Sequence, residues 1–424
     1  MSRLLSPASA MRFSVDSHAK TRGFSLIELM IAMVLGLLLV EGIFVLFSVT
    51  GRVNATQAAL SRLQENGRIA LNVISEDLRL SGYLPCGSRV QPQVFSDGLA
   101  NHISGAPATA NAPTGWPLNT SYPLDRGIFI GGNTCTAKTC APPVVASQGL
   151  PRAGLAAGDK IPGTDVLTVR YLQGNGWAAN GNGSRQTCDE KNTISSIAIR
   201  KMPGDPPLDG FKSAHLALLA GCSSGEVFQV SMQGDALQPA LGKFGAPACM
   251  AADSQARLFD LDTQLQTSIY YLQMVQDESK PGHAISTLMR RINGVTDELV
   301  QGVERLDLRY SLLDASGSAH WLSAGEVDRG VSNDGTSLLC KASGATSTQA
   351  CTWSDVNAVE VTMLLNTVDD LPVDAATDAW NYRYSMDDDR VHAPAATMPV
   401  TGLPAGRMLR REFRSVVALR SLST

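Results

Sequence analysis

From residue 24 to residue 50 the chain is apolar almost without a break (FSLIELMIAMVLGLLLVEGIFVLFSVT), and only Glu28 and Glu41 carry charge. A helix of that length spans about 40 Å, whereas crossing a bilayer's hydrocarbon takes about 20 residues. The segment reads as a transmembrane helix. The helical pattern then continues into polar sequence. Apolar residues fall at Ala55, Ala59, Leu63, Ile69, Val73 and Leu80, with Leu60, Ile74 and Leu78 alongside. Spacings of mostly three, four and seven predict one face of an amphipathic helix. No proline occurs between Gly23 and Pro85, and Ser81, Gly82 and Pro85 supply a stop. One helix from about 24 to 80 would be roughly 85 Å long. A helix half in lipid and half out suits a subunit that stacks against similar helices better than a solitary anchor.

Beyond Pro85 the pattern changes period. Residues 85–162 are loop-like, rich in Pro, Gly, Asn and Ala. Strands are predicted at 165–172, 194–200, 215–220, 226–232, 267–275, 288–292, 303–313, 356–365 and 413–420, several of them alternating apolar and polar residues. A short helix is expected over 296–301. The stretches 87–160, 174–192, 233–256 and 315–352 read as insertions, and there is no internal repeat. The fold class is α+β: a long N-terminal helix followed by a large, antiparallel, sheet-rich head. The segments expected are a leader at 1–23, a transmembrane half-helix at 24–50, an amphipathic half-helix at 51–84 and a head at 85–424.

Charge and cysteine usage set the topology. Residues 1–23 hold Arg3, Arg12, Lys20 and Arg22 against Asp16, a net of +3, which leaves −7 for the rest of a chain whose total is −4. Basic residues ahead of the apolar run place the N-terminus in the cytoplasm and the head outside it. A mildly acidic head argues against nucleic-acid binding, which needs a basic surface. The eight cysteines (Cys86, Cys135, Cys140, Cys188, Cys222, Cys249, Cys340 and Cys351) all lie beyond the apolar run. An even number on the outer side of a membrane anchor points to disulfides in an oxidising compartment. Eight cysteines allow 105 pairings. Proximity along the chain favours Cys135 with Cys140, Cys340 with Cys351 and Cys222 with Cys249, leaving Cys86 for Cys188.

Catalytic chemistry finds little support. His18, His102, His215, His283, His320 and His392 stand singly, without the spacings of a zinc site, and there is no Cys-x-x-Cys. The Gly-Asn-Gly runs near 174–184 lack the Gly-Lys-Ser/Thr ending of a phosphate loop, and the Gly-x-Ser-x-Gly run at 221–225 (GCSSG) lies between two expected strands, without the following helix that a nucleophile elbow requires. Asp387-Asp388-Asp389 lacks the alternation of a calcium loop and reads as a solvated turn. No catalytic, cofactor-binding or metal-binding residue is expected. Glu41 reads as a side chain snorkelling to the outer interface.

The run GFSLIELMIA, with basic residues just upstream, resembles the type III signal sequence of type IV prepilins. The resemblance implies a prepilin peptidase that cuts between Gly23 and Phe24 and methylates the new amino terminus at Phe24. It also makes Glu28 the family's assembly glutamate, paired in the filament with the amino terminus of a neighbouring subunit. The physical need is clear, because an ionised carboxylate inside a bilayer costs about 2.5 kcal/mol or more and requires a partner.

Residues 63–87 (LQENGRIALNVISEDLRLSGYLPCG) are similar to the helix end of PilW-type minor pilins, through Gln64, Glu65, Asn66, Arg68, Asp77, Arg79, Gly82, Tyr83 and Cys86. GTDVLTVRYL, GEVFQVS, ELVQGVERLDLRY and RREFRSVVALRS are similar in kind. Two departures stand out: Ser421 follows the last arginine where the family suggests Asn, and the head is long. The resemblance implies a structural minor pilin that initiates or caps a type IV pilus within a tip complex. Its partners would be other minor pilins, the major pilin, prepilin peptidase, the inner-membrane assembly platform and a tip adhesin. Before assembly it would be a single-pass inner-membrane protein, and afterwards part of the pilus at the cell surface. Gly36 and Gly42 would let neighbouring helices approach closely. Two rivals are the J-type pseudopilin of type II secretion and a stand-alone membrane-anchored adhesin, which would have no need of peptidase processing.

Overall fold

The computed structural model describes residues 25–81, 99–101, 129–144, 148–221, 225–239, 247–251, 255–278, 280–332, 334–341, 348–351, 353–371, 382–387, 391–392 and 407–419. In chain order the elements are α1 (Leu26–Leu80), β1 (Leu99–Asn101), β2 (Ile130–Cys135), β3 (Cys140–Ala141), β4 (Val166–Leu172), β5 (Trp177–Ala178), β6 (Arg185–Cys188), β7 (Ile194–Ala198), β8 (His215–Ala220), β9 (Gly225–Gln233), β10 (Ala236–Pro239) and β11 (Arg257–Asp260). They continue as α2 (Leu261–Gln264), β12 (Leu265–Gln276), β13 (Ala284–Ile292), β14 (Val295–Gln301), β15 (Val303–Leu313), β16 (Ala319–Leu322), α3 (Ala324–Arg329), β17 (Leu339–Lys341), β18 (Thr348–Ala350), β19 (Val356–Asn366), β20 (Tyr382–Arg383), β21 (Val391–His392) and β22 (Arg410–Ala418).

The chain forms two compact units, Met1–Thr56 and Gln57–Thr424. The first holds the apolar half of α1, whose side chains face outward all round. Leu37, Leu39, Phe44 and Phe47 are between 68% and 78% exposed. A helix apolar on every face with no protein against it belongs in lipid or against other helices.

In the second unit the remainder of α1 packs onto two sheets. One has the order β14-β13-β12-β4-β2-β3 and the other β16-β15-β19-β22, and their pairings are antiparallel throughout. Their shared core includes Leu63, Ala70, Ile74 and Leu78 of α1 with Leu167, Leu272, Leu306, Val361 and Met363 of the sheets. Asp165 stitches the two sheets together. Its backbone N–H donates to Leu306 O at 2.9 Å, and its carboxylate accepts from Cys135 N and Leu308 N, each at 2.9 Å. The third sheet runs β5-β11-β8-β9-β10-β7-β6, with β1 paired in parallel to β9. It has its own core around Trp177, Phe211, Phe228 and Leu258.

The predicted strands are present at or near their expected positions, and two of them, β8 and β15, coincide with the predicted bounds. Three expectations about the elements need correction. The segment expected as a helix over 296–301 is strand β14. Asn293 and Gly294 both take positive φ (46° and 92°), closing a two-residue turn that sets Val295 opposite Ile292. That turn hand matches strand twist, and a helix of six residues has too few internal bonds to compete. The stretches read as insertions contain β2, β5, β6, β10, β16, α3 and others, and β2 lies inside the six-stranded sheet. The face that α1 buries is also rotated from the apolar count. It consists of Leu63, Gly67, Ala70, Ile74, Asp77 and Leu78, while Ile69 and Leu80 are 40% and 36% exposed. Spacings of four, three, four and three survive only once a glycine and an aspartate are counted as interior.

Among the disulfides, Cys135–Cys140 and Cys340–Cys351 form as expected. Cys249 pairs with Cys188, which overturns both Cys222–Cys249 and Cys86–Cys188. Backbone bonds from Ile194 N to Pro247 O and from Cys249 N to Asn192 O lay the 247–249 segment beside the β6–β7 hairpin. Spatial neighbours there are 61 residues apart in sequence. Cys86 and Cys222 lie outside the described residues, as do Gly23 and Phe24.

Candidate assembly site

The start of α1 is built by a local motif. Ser25 precedes the first helical residue and Glu28 stands three positions on. The Ser25 N–H donates to Glu28 Oε2 at 3.0 Å, and the Ile27 N–H donates to Ser25 Oγ at 3.3 Å. Leu29 N–H closes the first turn on Ser25 O at 3.1 Å. Side chains thereby occupy two donors that a helix start would otherwise leave open, in the manner of a capping box. Within this unit Glu28 is exposed and acts as the N-terminal cap. A carboxylate there also faces the positive end of the helix dipole. Glu41 is exposed among apolar neighbours thirteen positions further along the same helix.

The second half of α1 is fixed by a polar cluster that the apolar pattern concealed. Asp77 is 3% exposed on the helix face that meets the six-stranded sheet. Arg290 Nη2 of β13 donates to both its oxygens, at 2.8 and 2.7 Å. Tyr171 OH of β4 donates to Oδ1 at 3.2 Å, and Tyr270 OH of β12 donates to Oδ2 at 2.5 Å. The Arg290 guanidinium also lies over the Tyr270 ring, 5.8 Å from its centroid. Burial first and the Asp77 charge second push the Tyr171 hydroxyl up to about 12, and the same two causes raise Tyr270 further. Both phenols therefore stay protonated and donate. Burial pulls Arg290 down, but Tyr270 and Asp77 more than offset it, so the guanidinium stays charged. Three neighbouring strands thus converge on one helix carboxylate.

A second contact fixes how closely the helix approaches. At Gly67 the helix meets Phe413 of β22 so tightly that an added Cβ would lie 2.4 Å from the ring. At the helix end, Ser81 Oγ donates to Phe129 O at 3.0 Å. Of the nine residues that carried the resemblance in 63–87, Asp77 is the one buried in this joint. Gln64, Glu65, Arg68 and Arg79 are exposed, Asn66 is half-buried, and Gly82, Tyr83 and Cys86 lie outside the described residues. The joint was missed in the sequence because Arg290 is 213 positions from Asp77. A signal was present all the same, since an acid within an otherwise apolar helix stripe requires a buried partner.

A lipid-compatible N-terminal helix half, capped through a serine and a glutamate, leads into an amphipathic half clasped by antiparallel sheets. The chain thus joins a helix long and apolar enough to cross a membrane to an antiparallel, sheet-rich head. Residues 18–40 match the model of the prokaryotic N-terminal methylation motif, and residues 269–421 match that of Type IV Pilus-assembly protein W. Together the matches support a PilW-type type IV minor pilin, a structural rather than catalytic class. The second match runs from within β12 through β22, and so includes Arg290 and Phe413, which hold the helix. No curated protein and no solved structure matches the chain.

Proposed function

We propose that the protein is a structural minor pilin that initiates assembly of a type IV pilus, or caps it, within a tip complex of minor pilins. The observation that carries the reading is the joining, in one chain, of a methylation motif over 18–40 and a PilW match over 269–421. In this reading the peptidase cuts after Gly23, Phe24 becomes the methylated terminus, and Glu28 exchanges its intrahelical cap for a neighbour's amine. Membrane helices gain no hydrophobic drive from pairing in lipid, so close packing and polar pairs set register. Gly36 and Gly42 have nothing within 4 Å of an added Cβ, which leaves flat helix surface for neighbours. The partners would be other minor pilins, the major pilin, the peptidase, the assembly platform and a tip adhesin. The PilW match favours the pilus over the J-type pseudopilin of type II secretion.

Deletion of the encoding gene in its host tests the assembly role, and immunogold labelling of the head tests the position. Loss of surface pili on deletion, with label at filament ends in the complemented strain, is the expected result. Normal piliation after deletion would reject initiation, and label spread along the shafts would reject a tip position.

A further inference from the structure

The third sheet carries a side-chain cluster with no part in helix packing. His215 opens β8, Asp260 ends β11 and precedes α2, and Asp262 lies in α2. The antiparallel register places Asp260 opposite Ala217, so the two strands run on from that pair to bring His215 and Asp262 together. One ligand atom from each of the three side chains lies within 4.8 Å of the others. His215 Nδ1 is 3.0 Å from Asp260 Oδ2 and 3.7 Å from Asp262 Oδ2. Donors bound at about 2.0–2.2 Å to one tetrahedral or octahedral ion stand about 3–3.5 Å apart. The 3.0 Å spacing has that scale and the 3.7 Å spacing lies just above it.

Two features prepare it for a ligand. The carboxylates are held in place by backbone donors: Leu216 N–H to Asp262 Oδ2 at 2.8 Å and Asp262 N–H to Asp260 Oδ1 at 3.0 Å. A carboxylate oxygen has a second lone pair, so neither bond uses up its capacity to coordinate. The second feature lies across the cluster at Gly210. A Cβ there would come within 2.8 Å of Asp260 Oδ2 and 3.3 Å of His215 Nδ1. The missing side chain keeps open the space beside the two atoms that would bind. Asp260 is buried, while the side chains of His215 and Asp262 are 21% and 24% exposed, which leaves one side accessible to water or an outside ligand.

We infer that His215, Asp260 and Asp262 form a three-ligand site for a divalent late first-row cation, zinc being the chemical type. One imidazole nitrogen and two carboxylate oxygens suit zinc, whereas calcium and magnesium prefer all-oxygen sets. The ion would tie the start of β8 to α2, with a fourth position open. The competing arrangement is a plain histidine–aspartate ion pair that needs no metal.

The test uses the full-length protein in detergent micelles, without a histidine tag and stripped with chelator. Zn²⁺ is titrated calorimetrically, and Co²⁺ is added in parallel to read a visible ligand-field band. One saturable equivalent is expected, weakened at least tenfold by His215→Gln and by Asp262→Asn and unchanged by His320→Gln. The asparagine can still accept from Leu216 N–H, so this variant keeps the local hydrogen bond. A measurement without variants accompanies it: Zn²⁺ should protect His215 from carbethoxylation, read by peptide mass spectrometry. Absence of a saturable equivalent, affinity unchanged in both variants, or no protection of His215 would each overturn the site.

Discussion

Replacing Arg290 by Met isolates the polar clasp that holds α1. The change keeps most of the stem and removes two charge-assisted hydrogen bonds from Arg290 Nη2 to Asp77, made at 2.7 and 2.8 Å. The Asp77 side chain is 4% exposed, so water cannot take their place. Breaking a buried ion pair from one side costs about 3–5 kcal/mol. The two tyrosine hydroxyls remain to solvate the carboxylate, and the Arg290 side chain is 23% exposed, so the expected loss is near the lower limit, about 3 kcal/mol. Asp77→Asn keeps an acceptor and loses the charge, and should cost about 1–2 kcal/mol. The double variant Asp77→Leu/Arg290→Met leaves no stranded charge. It should be less damaging than the sum of its single changes by about 2 kcal/mol. Urea denaturation of the full-length protein in detergent, followed by tryptophan fluorescence, gives the three free energies. Hydrogen exchange over residues 63–78 shows whether the helix loosens from the sheet. A cost below about 0.5 kcal/mol for Arg290→Met, or strictly additive changes, would refute the clasp.

Three further outcomes follow from the same geometry. Gly67→Ala, which in an open helix would stabilise by about 1 kcal/mol, should here destabilise by about 1–3 kcal/mol because of Phe413. Adding Phe413→Leu should recover much of the loss in melting temperature, and a Gly67→Ala protein as stable as wild type would show that the contact is slack. Burial, and Asp307 after it, push Asp165 from 3.8 up to about 7. The folded state therefore keeps a proton that the unfolded chain releases, and this contribution is lost as pH rises between about 4 and 7. Lys160, lowered by burial to about 8 from 10.5, acts in a separate window, where stability rises with pH. Relative to Asp165→Asn, wild type should lose stability from pH 4 to 7 in urea melts, and an unchanged difference would contradict the raised value. Finally, Glu28→Gln preserves the capping bond to Ser25 N–H but removes the charge. Surface pilus yield should collapse in Glu28→Gln and Glu28→Ala alike, with cleavage after Gly23 intact by N-terminal mass spectrometry. Normal yield in the glutamine variant would reduce Glu28 to a helix cap.

What could be read directly from the sequence was short-range. The apolar run of α1 was legible because lipid compatibility over one continuous stretch determines it; the Ser25–Glu28 cap went unread, although its two residues are only three positions apart. The strands β8 and β15 were legible as well, because alternation within a strand reports its faces. The strand at 295–301 was misread since its seven residues carry no decisive period, and the Asn293-Gly294 turn settles it.

Register decided the rest. Which side of α1 is buried depends on Gly67 meeting Phe413 and Asp77 meeting Arg290, partners more than 200 residues away. An apolar count of the helix passes over a glycine and an aspartate, and only the acid's place within the stripe hints at a buried partner. The Cys188–Cys249 bridge and the grouping of His215 with Asp260 and Asp262 have the same origin. Strand pairing brings distant positions together, and linear spacing cannot report which strands pair. The sequence by itself determined that a membrane-type helix carries a disulfide-containing β-rich head. Only the tertiary structure decided how that head grips the helix, because the gripping groups share a neighbourhood only after the sheets have formed.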